Sequence, residues 1–317
     1  MPKSESWPDY SLIIPRFTLD TIILEGALKS GAKFGGGVHV TNVAPEGDGV
    51  LVTGDLDGRS FSVRGRLVLV ATGANHKLLQ QMGLLKRPPG MALAARAYYE
   101  NLSGLTDTFH FRFDGVPLPG YGWLFPTSAS SANVGVMLWP GRGTQLNTRA
   151  AVEPFTQSPN LRPLLAGARR VSPIKGYPIR IDFATAPTFG ERVLLAGEAA
   201  GLVNPLTGEG IDFALESGHL AAEHLSAMFE SGDLSPERLA GYDRLLRRRY
   251  QRLFVFCHRL RKLFLNRPFL NRLVTAADRH DDLKLLLRDI LLQQQEDFVD
   301  VSPATILKAS LALVRAP

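Results

Sequence analysis

Residues 193–212 constrain the fold of this chain more than any other part of its sequence. The apolar run at residues 193–196 has the length and the β-branched start of a strand that is covered on both faces. Gly197 then permits a sharp turn, and Glu198 places a carboxylate at the end of the strand. The pattern predicts a buried strand, then a loop, then the start of a long helix.

The loop delays this helix and leaves its first turn open. Pro205, Gly208 and Gly210 keep the helix from starting early, so its first N–H groups lack partners. Because a helix N-terminus carries about half a positive charge, it can hold an anion or stabilise a developing negative charge. We expect a binding loop here. The alternative is an ordinary strand-to-helix connection with glycines at its turns.

The order and spacing of these residues resemble the second FAD-binding motif of a flavoprotein family that includes geranylgeranyl reductases and aromatic hydroxylases. In the family this motif reads Gly-Asp-Ala-Ala, a few residues, Pro, and then Gly-x-Gly at the helix start. Here Gly197-Glu198-Ala199-Ala200 precedes Pro205 and Gly208-Glu209-Gly210, with Glu198 in place of the usual Asp. The resemblance implies that Glu198 accepts hydrogen bonds from the ribityl hydroxyls, and that the helix start faces N1 and the C2 carbonyl of the flavin.

The sequence before this motif follows the order of segments in the family. The expected elements are a short edge strand ending at Arg16, a helix capped by Thr18 or Asp20 and stopped by Gly31, a strand at residues 38–43, a hairpin around Asp57-Gly58, and a buried strand at residues 67–74. Arg16 occupies the position of a family arginine that reaches the cofactor or its approach. A solvated surface arginine is the alternative. The cofactor-binding residues expected from the resemblance are Arg16, Gly197, Glu198, Pro205, Gly208, Glu209 and Gly210.

The opening βαβ unit of the family, with its Gly-x-Gly-x-x-Gly turn for the pyrophosphate, has no counterpart in this sequence. Gly35-Gly36-Gly37 follows a predicted helix and precedes a strand, which is the wrong order, and Gly141-Arg142-Gly143 lacks the third glycine. The alternatives are a truncated chain, a second polypeptide that supplies the unit, or a different way of binding the adenosine half. Since the missing strand is central in the family's sheet, we expect an unpaired seam there.

Residues 96–139 change to alternating segments that predict an antiparallel sheet with aromatic residues on one face. Within them, Tyr121, Trp123, Phe125 and Pro126 are similar to the Tyr-x-Trp-x-x-Pro signature of geranylgeranyl reductases. The resemblance implies that these residues line the cavity where a prenyl double bond meets the flavin. Flat apolar rings suit a polyprenyl tail, which offers surface but no hydrogen bonds. Core aromatics of a sheet are the alternative.

Basic residues are concentrated after this region. The segment Arg244–Arg272 contains ten Lys or Arg residues and no Asp or Glu, on a helix whose apolar stripe includes Cys257. We interpret Cys257 as buried and inert. A solvated basic face and a surface that docks on anionic lipid or a prenyl diphosphate are both open. No nucleic-acid motif accompanies the basic run. Lys175 and Arg180 are further candidates for a diphosphate or the cofactor, with plain surface charge as the alternative.

The remaining composition narrows the class of protein. One cysteine excludes a disulfide framework and a cysteine-rich zinc site, and fits a reducing cytoplasm. The start of the chain predicts no signal peptide, and no apolar run approaches the ~18 residues of a membrane span. His39, His110 and His219 have no metal-ligand spacing, so we assign no metal. We expect a cytoplasmic protein that is peripheral at the membrane if the basic segment docks there.

The sequence therefore predicts an α/β (α+β) fold with a partial FAD-binding Rossmann-like domain. The expected division is 1–80 and 186–231 for the FAD-binding domain, 81–185 for a substrate-binding antiparallel sheet, and 232–317 for a C-terminal helical region, with helices around 282–295 and 302–314. No catalytic residue is assigned.

The resemblance implies an FAD-dependent oxidoreductase that reduces prenyl double bonds by hydride transfer from reduced flavin, with NADPH or a reduced ferredoxin as electron donor. An isoprenoid lipid is the expected substrate, and a polypeptide carrying the βαβ unit is a further expected partner. Two alternatives are a flavin monooxygenase or halogenase on the same scaffold, and a non-catalytic lipid-binding or partner subunit that has lost FAD.

Overall fold

The computed structural model describes residues 12–140, 147–264, 267–281 and 283–284. They form a mixed α/β structure, so the predicted fold class is confirmed. The helices are α1 (Arg16–Lys29), α2 (Lys77–Gln81), α3 (Thr148–Thr156), α4 (Ile211–Ser231), α5 (Pro236–Phe264) and α6 (Arg267–Arg279). The helix expected at 302–314 lies outside the described residues, and the one at 282–295 does so almost entirely.

A small sheet contains the strand that the first motif predicts. Its order is β11 (Phe189–Gly190), β12 (Val193–Leu195) and β4 (Val68–Val70), and β12 runs parallel to β4. All residues of β12 are buried, as the apolar run predicts. On its other edge, β4 pairs with no strand of the described residues. The strand predicted at residues 67–74 is thus real but shorter, since Ala71 begins the turn toward Gly73.

The core beside this small sheet is built by α4 and α5. Phe213 of α4 and Phe254 of α5 pack edge to face, with ring centroids 5.1 Å apart. The predicted stripe of α5 is confirmed where its side chains are described, because Leu246, Tyr250 and Cys257 are buried. Burial raises the pKa of the Cys257 thiol to about 12, which fits an inert core cysteine.

A separate antiparallel sheet contains the hairpin predicted around Asp57-Gly58 and adds the strand predicted at residues 38–43 to it. Its strands are β1 (Val38–Glu46), β2 (Gly49–Leu56) and β3 (Arg59–Gly65), paired in that order. Asp57 and Gly58 both have positive φ, as a tight hairpin turn requires.

The strands of the largest sheet come between β4 and β11 in the sequence. Its order is β10 (Lys175–Arg180), β5 (Met91–Glu100), β8 (Ser131–Leu138), β7 (Gly120–Ser128) and β6 (His110–Arg112), and β9 (Arg169–Arg170) pairs with the far end of β5. All of its pairs are antiparallel, as predicted. β5 begins at Met91, five residues before the expected start at residue 96.

One face of this large sheet is covered by α3. Phe155 of α3 is fully buried against Leu124, Val134 and Val136 of the sheet. Gly122 is necessary for this contact, because a Cβ at Gly122 would lie 2.3 Å from the Phe155 ring. The opposite face of the sheet carries the aromatic residues.

The first helix differs from the expectation in where it begins. Pro15 precedes α1, and its carbonyl accepts the Leu19 N–H at 3.0 Å, so Arg16 is the first helical residue. Neither Thr18 nor Asp20 is the cap; Asp20 instead pairs with Arg16 at 3.0 Å. Residues 12–15 contain no strand, and the rest of the predicted edge strand, residues 9–11, lies outside the described residues. No residue of α1 is buried.

Candidate active site

The turn after β12 brings α4 against the end of the strand. Gly197 has φ +57°, a conformation that favours glycine. Its N–H donates to Oγ of Ser217 at 2.9 Å, and a Cβ here would lie 2.9 Å from Cβ of Ala214. A larger residue would therefore push α4 away from the strand end.

Glu198 lies between the carboxyl ends of the two parallel strands β4 and β12. Its Oε1 accepts the backbone N–H of Arg180 at 2.8 Å, and a Cβ at Gly73, beyond β4, would lie 3.8 Å from Oε2. Burial raises the pKa of Glu198, although the Arg180 N–H and the charges of Arg180 and Arg16 act in the opposite direction. Open α/β sheets bind ligands at the carboxyl ends of their strands, so the Glu198 carboxylate is placed to accept hydrogen bonds from ligand hydroxyl groups.

Arg16 is on the approach to Glu198 and is also at the surface. Its side chain is 58% exposed and pairs with Asp20, yet its positive charge acts on the Glu198 carboxylate. The cofactor role of Arg16 stays a prediction.

The buried residue Asn204 makes hydrogen bonds across the loop that joins the short 3-10 turn Gly197–Ala200 to α4. Oδ1 of Asn204 accepts the N–H groups of Leu206 and Thr207, at 2.9 and 3.3 Å, and the Asn204 N–H donates to the Glu209 carbonyl at 2.8 Å. These bonds give the loop a defined shape without help from a regular element. Asn204 is a site residue that the sequence motif did not single out.

Two glycines of the motif have steric reasons to be glycine. Gly208 has φ +77°, and a Cβ there would lie 2.2 Å from Sδ of Met137 on β8. A Cβ at Gly210 would lie 2.7 Å from Cγ2 of Val203. The loop is therefore pressed against the aromatic face of the large sheet.

The start of α4 is less bare than expected. Gly210 precedes the helix and has no side chain to cap it, but Asp212 places a carboxylate in the first turn. This carboxylate offsets part of the positive end of the helix.

Two aromatic side chains tie the loop to the sheet. The Tyr121 hydroxyl of β7 donates to the Thr207 carbonyl, and Nε1 of Trp139, just after β8, donates to the Pro205 carbonyl at 3.1 Å. Burial and the nearby charge of Glu209 raise the pKa of Tyr121, so its hydroxyl stays protonated. Trp139 was not predicted. Its position two residues after Met137 on an alternating strand was the available signal.

The remaining predicted aromatics continue along the same face. The rings of Trp123 and Phe125 have centroids 6.1 Å apart, and Phe111 of β6 lies 5.3 Å from Phe125 and 5.7 Å from Tyr121. Nε1 of Trp123 donates to Oδ1 of Asn133 at 2.8 Å. Pro126 differs from the other three predicted residues, because strand alternation places it on the opposite face.

The interpretation of Arg180 as a surface charge is wrong. Arg180 is fully buried, its Nε donates to Oδ1 of Asp182 at 2.7 Å, and its Nη1 donates to the Ala199 carbonyl. Its Nη2 is buried without a hydrogen-bond partner among the described residues. The Asn204 side chain instead interacts with the buried Cys257 thiol. Buried polar atoms are usually satisfied, so Arg180 Nη2 is the donor beside the turn that a bound polar group can use.

These residues fit the ribityl and ring end of a flavin. A carboxylate acceptor, a glycine-lined loop and a helix start lie within one stretch of chain, next to an aromatic face. No described residues form a cluster of three or more His, Cys, Asp or Glu suited to a metal ion. Among the described helices, none is long and apolar enough to cross a membrane.

Comparison with known proteins finds no matching family model. The digeranylgeranylglycerophospholipid reductase 2 of Methanopyrus kandleri is 25% identical over 313 residues, which cover 94% of this chain and 77% of that protein. The menaquinone reductase of Mycobacterium tuberculosis is 32% identical over 264 residues, which cover 80% of this chain and 62% of that enzyme. This chain thus spans less than two thirds of the mycobacterial relative.

A solved structure gives the fold independently. The geranylgeranyl bacteriochlorophyll reductase-like protein of Thermoplasma acidophilum superposes with a TM-score of 0.72 at 22% identity, covering 93% of this chain and 71% of that one. Flavin-dependent halogenases also share the fold at lower identity.

The fold of this chain is thus shared by a reductase-like protein and by flavin-dependent halogenases. The names of the two sequence relatives, a digeranylgeranylglycerophospholipid reductase and a menaquinone reductase, agree with the resemblance to geranylgeranyl reductases that the two motifs carry.

Proposed function

We propose that this chain supplies the flavin-facing loop and the substrate sheet of an FAD-dependent reductase that saturates double bonds of an isoprenoid lipid. The observation that carries the proposal is the hydrogen bond from Tyr121 to the Thr207 carbonyl, which joins the signature aromatic directly to the flavin motif. The names of two relatives support the lipid class, since both are reductases of prenylated lipids or quinones.

The residues act by binding and positioning. FAD, when bound, supplies the electron pair for the reduction. Glu198 accepts hydrogen bonds from hydroxyl groups of the cofactor. The loop at Gly208 and Gly210 lets backbone N–H groups approach the flavin ring. Tyr121 holds the loop against the sheet, and Trp123 offers a flat apolar surface for the chain to be reduced. Because its proton is committed to Thr207, Tyr121 is a positioning residue rather than an acid.

The first test is an absorption spectrum of the purified chain, alone and after addition of FAD. A reductase is supported if the protein retains a flavin band, if dithionite bleaches this band, and if the band returns when a geranylgeranyl lipid is added under anaerobic conditions. Oxygen consumption that depends on the substrate supports the monooxygenase or halogenase alternative instead. NADPH and reduced ferredoxin are then compared as electron donors by the same bleaching.

The partner that carries the adenosine-binding unit is a second part of this proposal. Its basis is the edge of β4, which pairs with no strand of the described residues. We propose 1–80 and 186–231 as the flavin-binding part and 81–185 as the substrate part. Absence of flavin from the chain alone, with recovery on adding an upstream polypeptide, supports a split reductase. No binding under either condition supports the non-catalytic alternative.

We also propose that the basic face of α5 contacts anionic lipid. Five of its exposed cations occupy one face at 100° per residue, and they are Arg244, Arg248, Arg252, Arg259 and Lys262. None of the five forms an ion pair with another described residue. Since each basic residue near an anionic surface contributes about 1 kcal/mol, five suffice for salt-sensitive binding. Co-sedimentation with phosphatidylglycerol vesicles, but not with phosphatidylcholine vesicles, is the expected result.

A further inference from the structure

The strand register places cationic and aromatic residues in one row across the large sheet. Lys175 of β10 lies opposite Arg96 of β5, and Arg96 lies opposite Gly135 of β8. Gly135 in turn lies opposite Trp123 of β7, which lies opposite Phe111 of β6. Directly opposite residues of antiparallel strands point to the same face, so this row is continuous. At about 4.8 Å per strand, it spans roughly 19 Å.

The two cations at one end of the row have no carboxylate between them. Like charges directly opposite each other destabilise a sheet, yet neither Lys175 nor Arg96 forms an ion pair with a described residue. The Arg96 guanidinium lies over the ring of Tyr98, 4.8 Å from its centroid, which holds it against the sheet. Arg96 is half-buried and Lys175 is exposed, so an anion can reach both.

Gly135 connects this pair to the aromatic end. A Cβ at Gly135 would lie 2.3 Å from Cζ2 of Trp123, so the indole ring covers the backbone there and extends toward Arg96. The next row along the strands contains Met137, against which Gly208 of the flavin-facing loop packs. The cation pair therefore adjoins both the apolar surface and the proposed reaction site.

We propose that Arg96 and Lys175 bind the phosphate or diphosphate headgroup of the isoprenoid lipid whose chain lies over Trp123 and Phe111. This inference rests on the proposed function, since it takes the prenyl chain as given and adds the site for its anionic end. A guanidinium and an ammonium side by side suit a phosphate group, which accepts several charge-assisted hydrogen bonds.

The test compares ligands with and without the anionic end. Isothermal titration measures the binding of geranylgeranyl diphosphate, geranylgeraniol and a prenylated glycerophospholipid in mixed micelles to the full chain. We expect the diphosphate or the phospholipid to bind at least tenfold more tightly than the alcohol. In the Arg96→Gln/Lys175→Gln variant this advantage should disappear, with the affinity for geranylgeraniol unchanged. Which of the two anionic ligands shows the advantage identifies the source of the headgroup.

Two controls separate this site from general electrostatics and from misfolding. Arg59→Gln removes an exposed cation from the separate sheet of β1, β2 and β3 and should leave all affinities unchanged. Arg96→Lys keeps the charge and should retain part of the preference. Equal loss with Arg59→Gln, or no loss in the double variant, would overturn the headgroup site while the proposed function stands. Failure of geranylgeraniol itself to bind would instead contradict the proposed function.

Discussion

The two faces of the large sheet differ in what covers them. On one face, Phe155 of α3 is buried against Leu124 and Val136, with no measurable exposure. On the other face, Phe111 is 36% exposed and packs against the rings of Tyr121 and Phe125, which are themselves partly exposed. The same β7 strand contributes to both faces, through alternate residues.

This difference separates residues that hold the fold from residues that are available to a ligand. Glycines occur on both faces for opposite reasons. Gly122 makes room for the Phe155 ring of the helix, while Gly135 makes room for the Trp123 ring of the open face. An apolar residue on the closed face gains its partners in folding, whereas one on the open face keeps apolar surface for a ligand. Matched substitutions on the two faces should therefore change different properties.

Substitution of the matched phenylalanines should give the largest difference. Phe155→Ala removes a fully buried ring and should lower the free energy of unfolding by about 3–5 kcal/mol. Phe111→Ala removes a ring that is already 36% exposed, so its effect on unfolding should be under about 1.5 kcal/mol. Urea unfolding followed by circular dichroism measures both. Equal losses at the two positions would contradict the assignment of an open face.

Gly208→Ala should have the next largest effect and should act on the loop. A Cβ at this position meets Sδ of Met137 at 2.2 Å and demands φ +77° of an alanine. We expect a loss of stability of about 1–3 kcal/mol and weaker FAD binding, because the loop must move off the sheet. Gly218→Ala is the matched control, since a Cβ in that helical position meets nothing within 4 Å. Thermal unfolding and a flavin titration distinguish the two variants.

The regions that were predicted well from the sequence are those whose structure depends on residues close together in the chain. The strand before Gly197, the glycines of the loop and the stripe of α5 follow from spacing within a short segment. β5 was located late because its start, Met91 to Ala95, is apolar or small at every position and shows no alternation. The start of α1 was missed because Pro15, rather than a polar cap, precedes it.

Other features depend on which strands become neighbours, which a single sequence does not state. Arg180 has the composition of a surface residue, but its position beside Glu198 and Asp182 buries it. The pairing of Lys175 with Arg96 joins residues far apart in the chain, through a register that is set by the whole sheet. Of the predicted aromatic set, alternation along the strand separates Pro126 from Tyr121, Trp123 and Phe125.

Tyr121→Phe should have a smaller effect that is specific to the open face. The change keeps the ring and removes the hydroxyl that donates to the Thr207 carbonyl. Loss of one such bond should cost about 0.5–1.5 kcal/mol, and FAD affinity should fall by less than about tenfold. Phe125→Leu, further along the same strand, should leave flavin affinity unchanged. A Tyr121→Phe protein with wild-type FAD affinity and stability would show that this bond does not hold the loop.

The smallest expected effect is on the pH dependence of stability, and it concerns Glu198. Burial raises the pKa of Glu198 in the folded chain above its ordinary value of 4.5. The folded state therefore binds a proton more readily than the unfolded state, and the contribution of Glu198 to stability falls as pH rises from 4.5 through the raised folded pKa. Glu198→Gln keeps an acceptor for the Arg180 N–H and should remove this component, so stability of the variant should change less over that interval. Urea midpoints of both proteins at matched pH values measure the difference. An identical pH profile in the two proteins would mean that the carboxylate is not desolvated, and that its placement between β4 and β12 leaves it in water.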